Sequence, residues 1–268
     1  MPENSVIGRQ MRYFFFDGNS GRLLGIVCLV SALTGPSPRY QRLQWKQETK
    51  WRNLHQVMNI AVCVPIQPFG TLCGGKLLFT SALSNEVREE YRSRYGSHLL
   101  AVETTSLYGK SSQYNRVTEY EYLGLTKGTI TMQISDTLWE KMQAYLFLHP
   151  EYDDSPDKGD RSNVKARRIM RLAVVLGIDL DRSASHQRGY YWGVTASNSE
   201  AILTDKTTDP PNFYDRPLAN LIDFWYKRWY LMRLPKKRDE IENFDVNQYR
   251  LDNNVPREAW YPRQEYLF

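Results

Sequence analysis

Between Glu103 and Arg116 the chain reads ETTSLYGKSSQYNR, a run of carboxylate, hydroxyl, phenol and guanidinium groups able to move protons or hold a polar ligand. Glu103 is a candidate general base if desolvation raises its pKa; Tyr114 is a candidate general acid or stacking group, with Asn115 beside it. The same residues admit a structural reading, in which Glu103 pairs with Arg116 and Tyr114 is a core aromatic with its hydroxyl at the rim. A second constellation lies upstream. In QPFGTLCGGK, Gly70, Gly74 and Gly75 let an anion approach the backbone and Lys76 adds a point charge, in a turn that leads into a helix N-terminus carrying roughly half a positive charge. This turn matches neither a Walker loop nor GxGxxG, so tight packing at the glycines is the competing explanation.

The elements that must position these groups follow from the pattern. Arg12–Phe16 and Arg22–Ala32 are apolar, β-branched or aromatic and flank DGNSG, which predicts a β-hairpin. Residues 36–56 form a polar run punctuated by Trp45, Trp51 and Leu54, an irregular helical excursion. Asn59–Ile66 is the next strand. It feeds the glycine turn and then one helix, with Leu77, Leu78, Ala82 and Val87 at helical spacing and Gly96 as C-cap. Leu99–Thr104 is a strand, Ser111–Val117 a short helix and Tyr120–Leu123 a further strand, so the polar-aromatic run sits where ligands of open α/β sheets bind, outside the carboxyl end of a strand.

Beyond Thr129 the character changes. Asp136 caps a helix to about Leu148, a hydrophilic connection follows, and Val164–Leu176 reads as a basic amphipathic helix ending at Gly177. RGYYWGVTAS is a strand, Pro217–Leu234 an aromatic helix, and the last thirty residues an aromatic, extended arm. Two basic patches fall here. Lys158–Arg171 includes Arg167 and Arg168, and Trp225–Arg238 includes Lys236, Lys237 and Arg238 with Trp225, Tyr226, Trp229 and Tyr230 interleaved. Such groups neutralise phosphates and stack on unpaired bases; Trp225 and Trp229, four apart on a helix, equally suit a core stripe above a solvated basic face.

Composition limits the remaining classes. Of 268 residues, 41% are hydrophobic and 24% charged, and the net charge of +5 is too small to argue for nucleic acid by itself. Three cysteines without a CxxC pair support no disulfide framework, and four scattered histidines give no metal-ligand spacing. His186, beside Arg188 in HQRGYYWG, is the one histidine placed to line a site or cap a loop. The absence of a membrane-length apolar run or signal core predicts a cytoplasmic protein with no membrane partner.

The succession RYFFFDGNSGRLLGIV, RNLHQVMNIAVCVPIQPFGTLCGGKLL, AVETTSLYGKSSQYNR and YLGLTKG resembles the DruA family of the Druantia anti-phage defence system, over about residues 8–235. The order of elements also looks like the GNAT acyltransferase superfamily. That second resemblance implies that Gly70, Gly74, Gly75 and Lys76 lie at a cofactor-pyrophosphate position and Tyr114 near a proton donor, although the turn lacks the superfamily's motif in register; the cofactor itself stays open. Members of both families normally have a strand and one or two helices before the hairpin, where this chain has only about ten residues; the resemblance implies that this piece is absent, truncated or provided by a partner, with an open site if those helices form one wall of the cleft.

The expected fold is therefore α/β, a GNAT-like mixed sheet with flanking helices over residues 1–130 and a C-terminal α+β extension over 131–268. The expected function is a DruA-like defence component that engages phage or replicating DNA alongside a helicase-type partner. The alternatives are an acyl- or nucleobase-modifying transferase and a homo-oligomeric structural subunit built through the C-terminal arm.

Overall fold

The computed structural model of the protein describes residues 8–107, 109–126, 136–152, 171–172, 175–177 and 187–244. Its opening hairpin pairs β1 (Gln10–Phe16) with β2 (Leu23–Ser31) in antiparallel register, Tyr13 opposite Val27 and Phe14 opposite Ile26. The DGNSG reversal forms as its chemistry requires. Asp17 accepts from the Ser20 amide and hydroxyl, and Gly21 adopts φ +66, a conformation that favours glycine. Two short helices, α1 (Ser37–Leu43) and α2 (Gln47–Asn53), form the polar excursion before β3 (Val57–Pro65).

After β3, a 3-10 turn over Phe69–Leu72 leads into α3 (Gly74–Ser81), followed by α4 (Asn85–Tyr95). The expected single helix is thus two. Ser84 breaks it: its hydroxyl accepts from the Val87 amide as a new N-cap, and Gly96 at φ +65 closes α4 as expected. Next come β4 (Ala101–Ser106) and β5 (Tyr120–Leu125), then α5 (Asp136–Leu148), β6 (Gly189–Val194), α6 (Ser199–Leu203), α7 (Leu218–Trp225) and α8 (Leu231–Glu242). A π-helical turn, Tyr226–Tyr230, joins the last two; the Leu231 amide bonds back to the Tyr226 carbonyl, five residues away.

The sheet is mixed and six-stranded, in the order β1-β2-β3-β4-β6-β5. β3 and β4 form a parallel pair over only Val57–Asn59 and Ala101–Glu103; β4 and β6 are antiparallel throughout. Beyond Asn59 and Glu103 the two parallel strands part, leaving a notch. Its polar groups are met by side chains: Thr104 donates to the Ile60 carbonyl at 2.9 Å, and the Gln113 amide to the Cys63 carbonyl at 2.8 Å.

Each sheet face has its own core, because successive strand residues alternate sides. Met11, Val27, Met58, Leu78, Phe79 and Tyr91 pack on the α3–α4 side, while Leu43, Trp45, Val57, Ala101, Tyr190 and Trp192 pack on the other. Leu78 and Phe79 are fully buried, and side chains of this size contribute about 1.5–3 kcal/mol each on leaving water.

The described residues up to Gly124 and those from Gly189 onward form one compact unit, and those within 125–188 a second. Whereas the sequence suggested a boundary near residue 130, β6 inserts between β4 and β5, so a strand from the C-terminal half completes the first sheet. The second unit contains α5 and a 3-10 turn, Pro150–Tyr152, with Tyr145 and His149 rings 4.5 Å apart. Arg167, Arg168, Tyr108, His186 and residues 245–268 lie outside the described residues; the start of the expected extended arm is helical instead, because α8 runs on to Glu242.

Candidate functional site

The glycine turn and the helix it feeds carry one wall of a cleft of about 670 Å³. Gly70, Cys73, Gly75 and Lys76 contribute from this turn; Ser112, Gln113, Asn115 and Arg116 from the loop after β4; Arg228, Trp229, Met232, Arg233 and Lys236 from the π turn and α8. Two indole and guanidinium contacts fix the third wall to the first. Trp225 Nε1 donates to the Cys73 carbonyl at 3.0 Å, and Arg233 Nε to the Thr71 carbonyl at 3.2 Å. Trp225 is also buried against Phe69, with ring centroids 5.3 Å apart.

Lys76 is the anchor of the loop wall. Its ammonium donates to the carbonyls of Ser112 (2.7 Å), Gln113 (3.4 Å) and Asn115, and lies 5.5 Å from the Trp229 ring centroid. Burial holds its pKa below the usual lysine value, and the charge of Arg116 acts the same way while Cys73 opposes. These carbonyl bonds explain why residues 111–117 form turns rather than the expected helix: the acceptors a helix would use internally are taken by Lys76.

The glycines are explained by close packing. A Cβ on Gly74 would stand 2.3 Å from the Phe69 ring, and one on Gly75 would stand 2.9 Å from the Gln113 side chain. Gly74 itself does not line the cleft.

Electrostatically the cleft has one sign. Arg116, Arg228, Arg233 and Lys236 line it together with Lys76, and no described lining residue is acidic. Lys237 turns away to pair with Glu240, which also accepts from Thr71 at 3.1 Å; Arg238 is exposed and outside the lining. Of the three C-terminal cations singled out from the sequence, Lys236 alone is in the cleft.

The proton-handling candidates lie elsewhere. Glu103 is fully buried and bonded on both oxygens: Oε1 accepts from the Leu33 amide at 2.6 Å, while Oε2 accepts from Arg39 at 2.7 Å and from the Tyr190 hydroxyl. Burial pushes its carboxyl above the usual range, with Arg39, Tyr190 and Leu33 acting in the opposite direction. Its ion pair is with Arg39 of α1, not Arg116. Tyr114 is a core aromatic on the other sheet face, packed on Phe79 with centroids 4.4 Å apart, and burial raises its pKa. Glu103 and Tyr114 are thus separated by the sheet. Asn115 is the one member of that set in the cleft, and its Oδ1 accepts from the Tyr191 hydroxyl at 2.9 Å.

Arg116 belongs to the polar-aromatic run and Arg228, Trp229 and Arg233 to the basic aromatic run of the sequence, and the structure brings the two runs to one cleft. A signal existed for Arg228 and Arg233, which sit in the same basic run as Lys236; none marked Arg116 as facing them from more than a hundred residues away. The described residues contain no group of three or more His, Cys, Asp or Glu arranged to hold a metal, and no helix long and apolar enough to cross a membrane.

The RNLH motif that carried the family resemblance has a structural role. Asn53 donates to the Leu203 carbonyl at 3.1 Å and to Asp205 at 2.8 Å, and Arg52 pairs with Asp205, tying α2 to the end of α6.

A Druantia protein DruA of Escherichia coli (strain UMEA 4076-1) is 26% identical over 230 residues, covering 78% of this chain and 57% of that protein. No solved structure matches the chain. The model of the family described as Druantia protein DruA matches residues 1–205, and the chain belongs to this family of the Druantia anti-phage defence system.

Proposed function

We propose that this chain is the nucleic-acid-engaging component of its defence system, acting on phage or replicating DNA, and that the cleft between the glycine turn and α8 is where the strand sits. One observation carries the reading: Arg116, Arg228, Arg233 and Lys236 converge on one cleft with Trp229, and no described lining residue is acidic. Arginine and lysine neutralise backbone phosphates irrespective of sequence, and an aromatic ring gives bases a platform. The described lining residues include no His, Asp, Glu or Tyr, which suits binding rather than proton transfer. A helicase-type partner, as the family resemblance implies, would supply the motor.

Gel-shift binding of the purified chain to duplex, single-stranded and forked DNA at two salt concentrations tests this. Binding that weakens steeply with salt supports it; no binding to any form at low salt would overturn it.

A second reading, a GNAT-like transferase, draws support from the parallel β3–β4 pair and from the turn between β3 and α3 opening onto the same cationic cleft. It predicts a higher melting temperature with a CoA-type ligand, and loss of that shift in Gly75→Glu. Assembly through the C-terminal arm is the third reading, and light scattering with and without residues 240–268 tests it.

A further inference from the structure

The dimensions and lining of the cleft carry the nucleic-acid reading one step further. At about 670 Å³ the cleft falls within the size range of sites for small molecules, about 300–1,000 Å³, and holds one or two nucleotides rather than a length of duplex. Its cations are not spread along a face. Arg228 and Arg233 come from the π turn and α8, and Arg116 comes from the loop opposite, with Trp229 between the walls.

Trp229 is half-buried, with Lys76 on the ring side toward the 112–115 loop and the Phe224 ring edge-on at 5.5 Å. The indole thus has neighbours that orient it, lines the cleft and keeps part of its ring exposed, as a stacking group requires. Asn115 supplies a polar edge. The Tyr191 hydroxyl bond to Oδ1 fixes the side chain, and its NH2 offers donors that suit an acceptor on a base or sugar. In a duplex, by contrast, bases are stacked inside and do not offer a face to a ring that lines a cleft.

We infer that the cleft takes one or two unpaired nucleotides, a base stacking on Trp229 and the flanking phosphates on Arg116, Arg228 and Arg233. This rests on the nucleic-acid reading and narrows it to a strand end, gap or displaced strand. The half of the cleft that selects for an unpaired base comes from α8 and the preceding turn, beyond the residues the family model matches.

The test uses the full chain with a short single-stranded oligonucleotide, a blunt duplex of the same sequence and a free mononucleotide polyphosphate, read by anisotropy and by tryptophan fluorescence. The expected result is binding of the single strand at least about tenfold tighter than the blunt duplex. In Trp229→Ala, single-strand affinity should fall at least about fivefold, and in Trp229→Phe, which keeps a ring, most of it should remain. The part of the fluorescence quench due to Trp229 should vanish in both variants. Equal affinity for single strand and duplex, unchanged in Trp229→Ala, would overturn the inference while leaving DNA binding intact. Saturation by the free nucleotide with no competition from the oligonucleotide would also overturn it, in favour of a soluble nucleotide ligand. Failure of every probe to bind would remove the functional reading itself.

Discussion

The side-chain amide of Gln113 donates to the Cys63 carbonyl at 2.8 Å, across the notch where β3 and β4 part. A loop side chain thereby stands in for the missing ladder bond, and the loop it belongs to is one wall of the cleft. The same side chain packs where a Cβ on Gly75 would otherwise fall. Gln113→Ala leaves a half-open strand carbonyl unpaired, so the unfolding free energy should drop by about 1–3 kcal/mol. Urea denaturation followed by circular dichroism checks this, and an unchanged midpoint would show that the notch needs no such bond.

The buried pair of Arg39 and Glu103 tethers α1 to the centre of the sheet. Glu103→Gln leaves the guanidinium buried without its counter-charge, and loss of about 3–5 kcal/mol is expected. Replacing both residues, Arg39→Met with Glu103→Leu, should recover much of that loss because no orphaned charge remains. A single variant as stable as the parent would show that the pair does not hold the fold.

Burial raises the pKa of several acids: Cys63 is pushed up to about 12, and Tyr120 and Tyr190 also lie well above the usual phenol value. Each holds its proton more tightly folded than unfolded. Their contribution is therefore complete below the ordinary thiol and phenol pKa values and is lost as pH rises through the folded ones. Lys76, whose pKa burial lowers, works in the other direction. The urea midpoint should fall between pH 8 and pH 11, and less so in Cys63→Ala; a midpoint that rises across this range would contradict the assignment.

Cysteine labelling offers an independent view of the cleft. Cys28 and Cys63 are buried, whereas Cys73 is partly exposed and lines the cleft. Iodoacetamide at pH 8 should modify Cys73 first, and a bound oligonucleotide should slow that reaction at least about fivefold if its affinity keeps the cleft mostly occupied. Equal labelling with and without oligonucleotide, under conditions where anisotropy shows saturation, would place the bound strand elsewhere.

How much of this was legible beforehand varied with the range of the interactions. The hairpin was written locally, in Asp17, Ser20 and Gly21, and so was the C-cap at Gly96. The Ser84 break was overlooked because helical spacing continues through it, although Ser84 followed by Glu86 in the first turn is a capping signal. The loop over 111–117 looked helical because nothing nearby announces that Lys76 takes its carbonyls. Glu103 finds Arg39 sixty-four residues away, and β6 enters the sheet from beyond a separate unit. Neither leaves a trace in periodicity. The cleft had half a signal: the basic aromatic run at 225–238 and the glycine turn were each visible, but their apposition depends on Trp225 reaching Cys73 and Arg233 reaching Thr71.

The central claim is that nucleic acid lies in the cleft and not on a general basic surface. Anisotropy of a labelled single strand against salt, comparing Arg228→Glu with Lys236→Glu against Lys237→Glu with Arg238→Glu, tests it most directly. The first pair of substitutions should abolish measurable binding; the second should leave affinity within a few fold, with the parent's log–log salt slope near about −0.7 for each phosphate neutralised. Equal losses in both double variants would contradict the account, because the charge changes are the same and only the cleft distinguishes them.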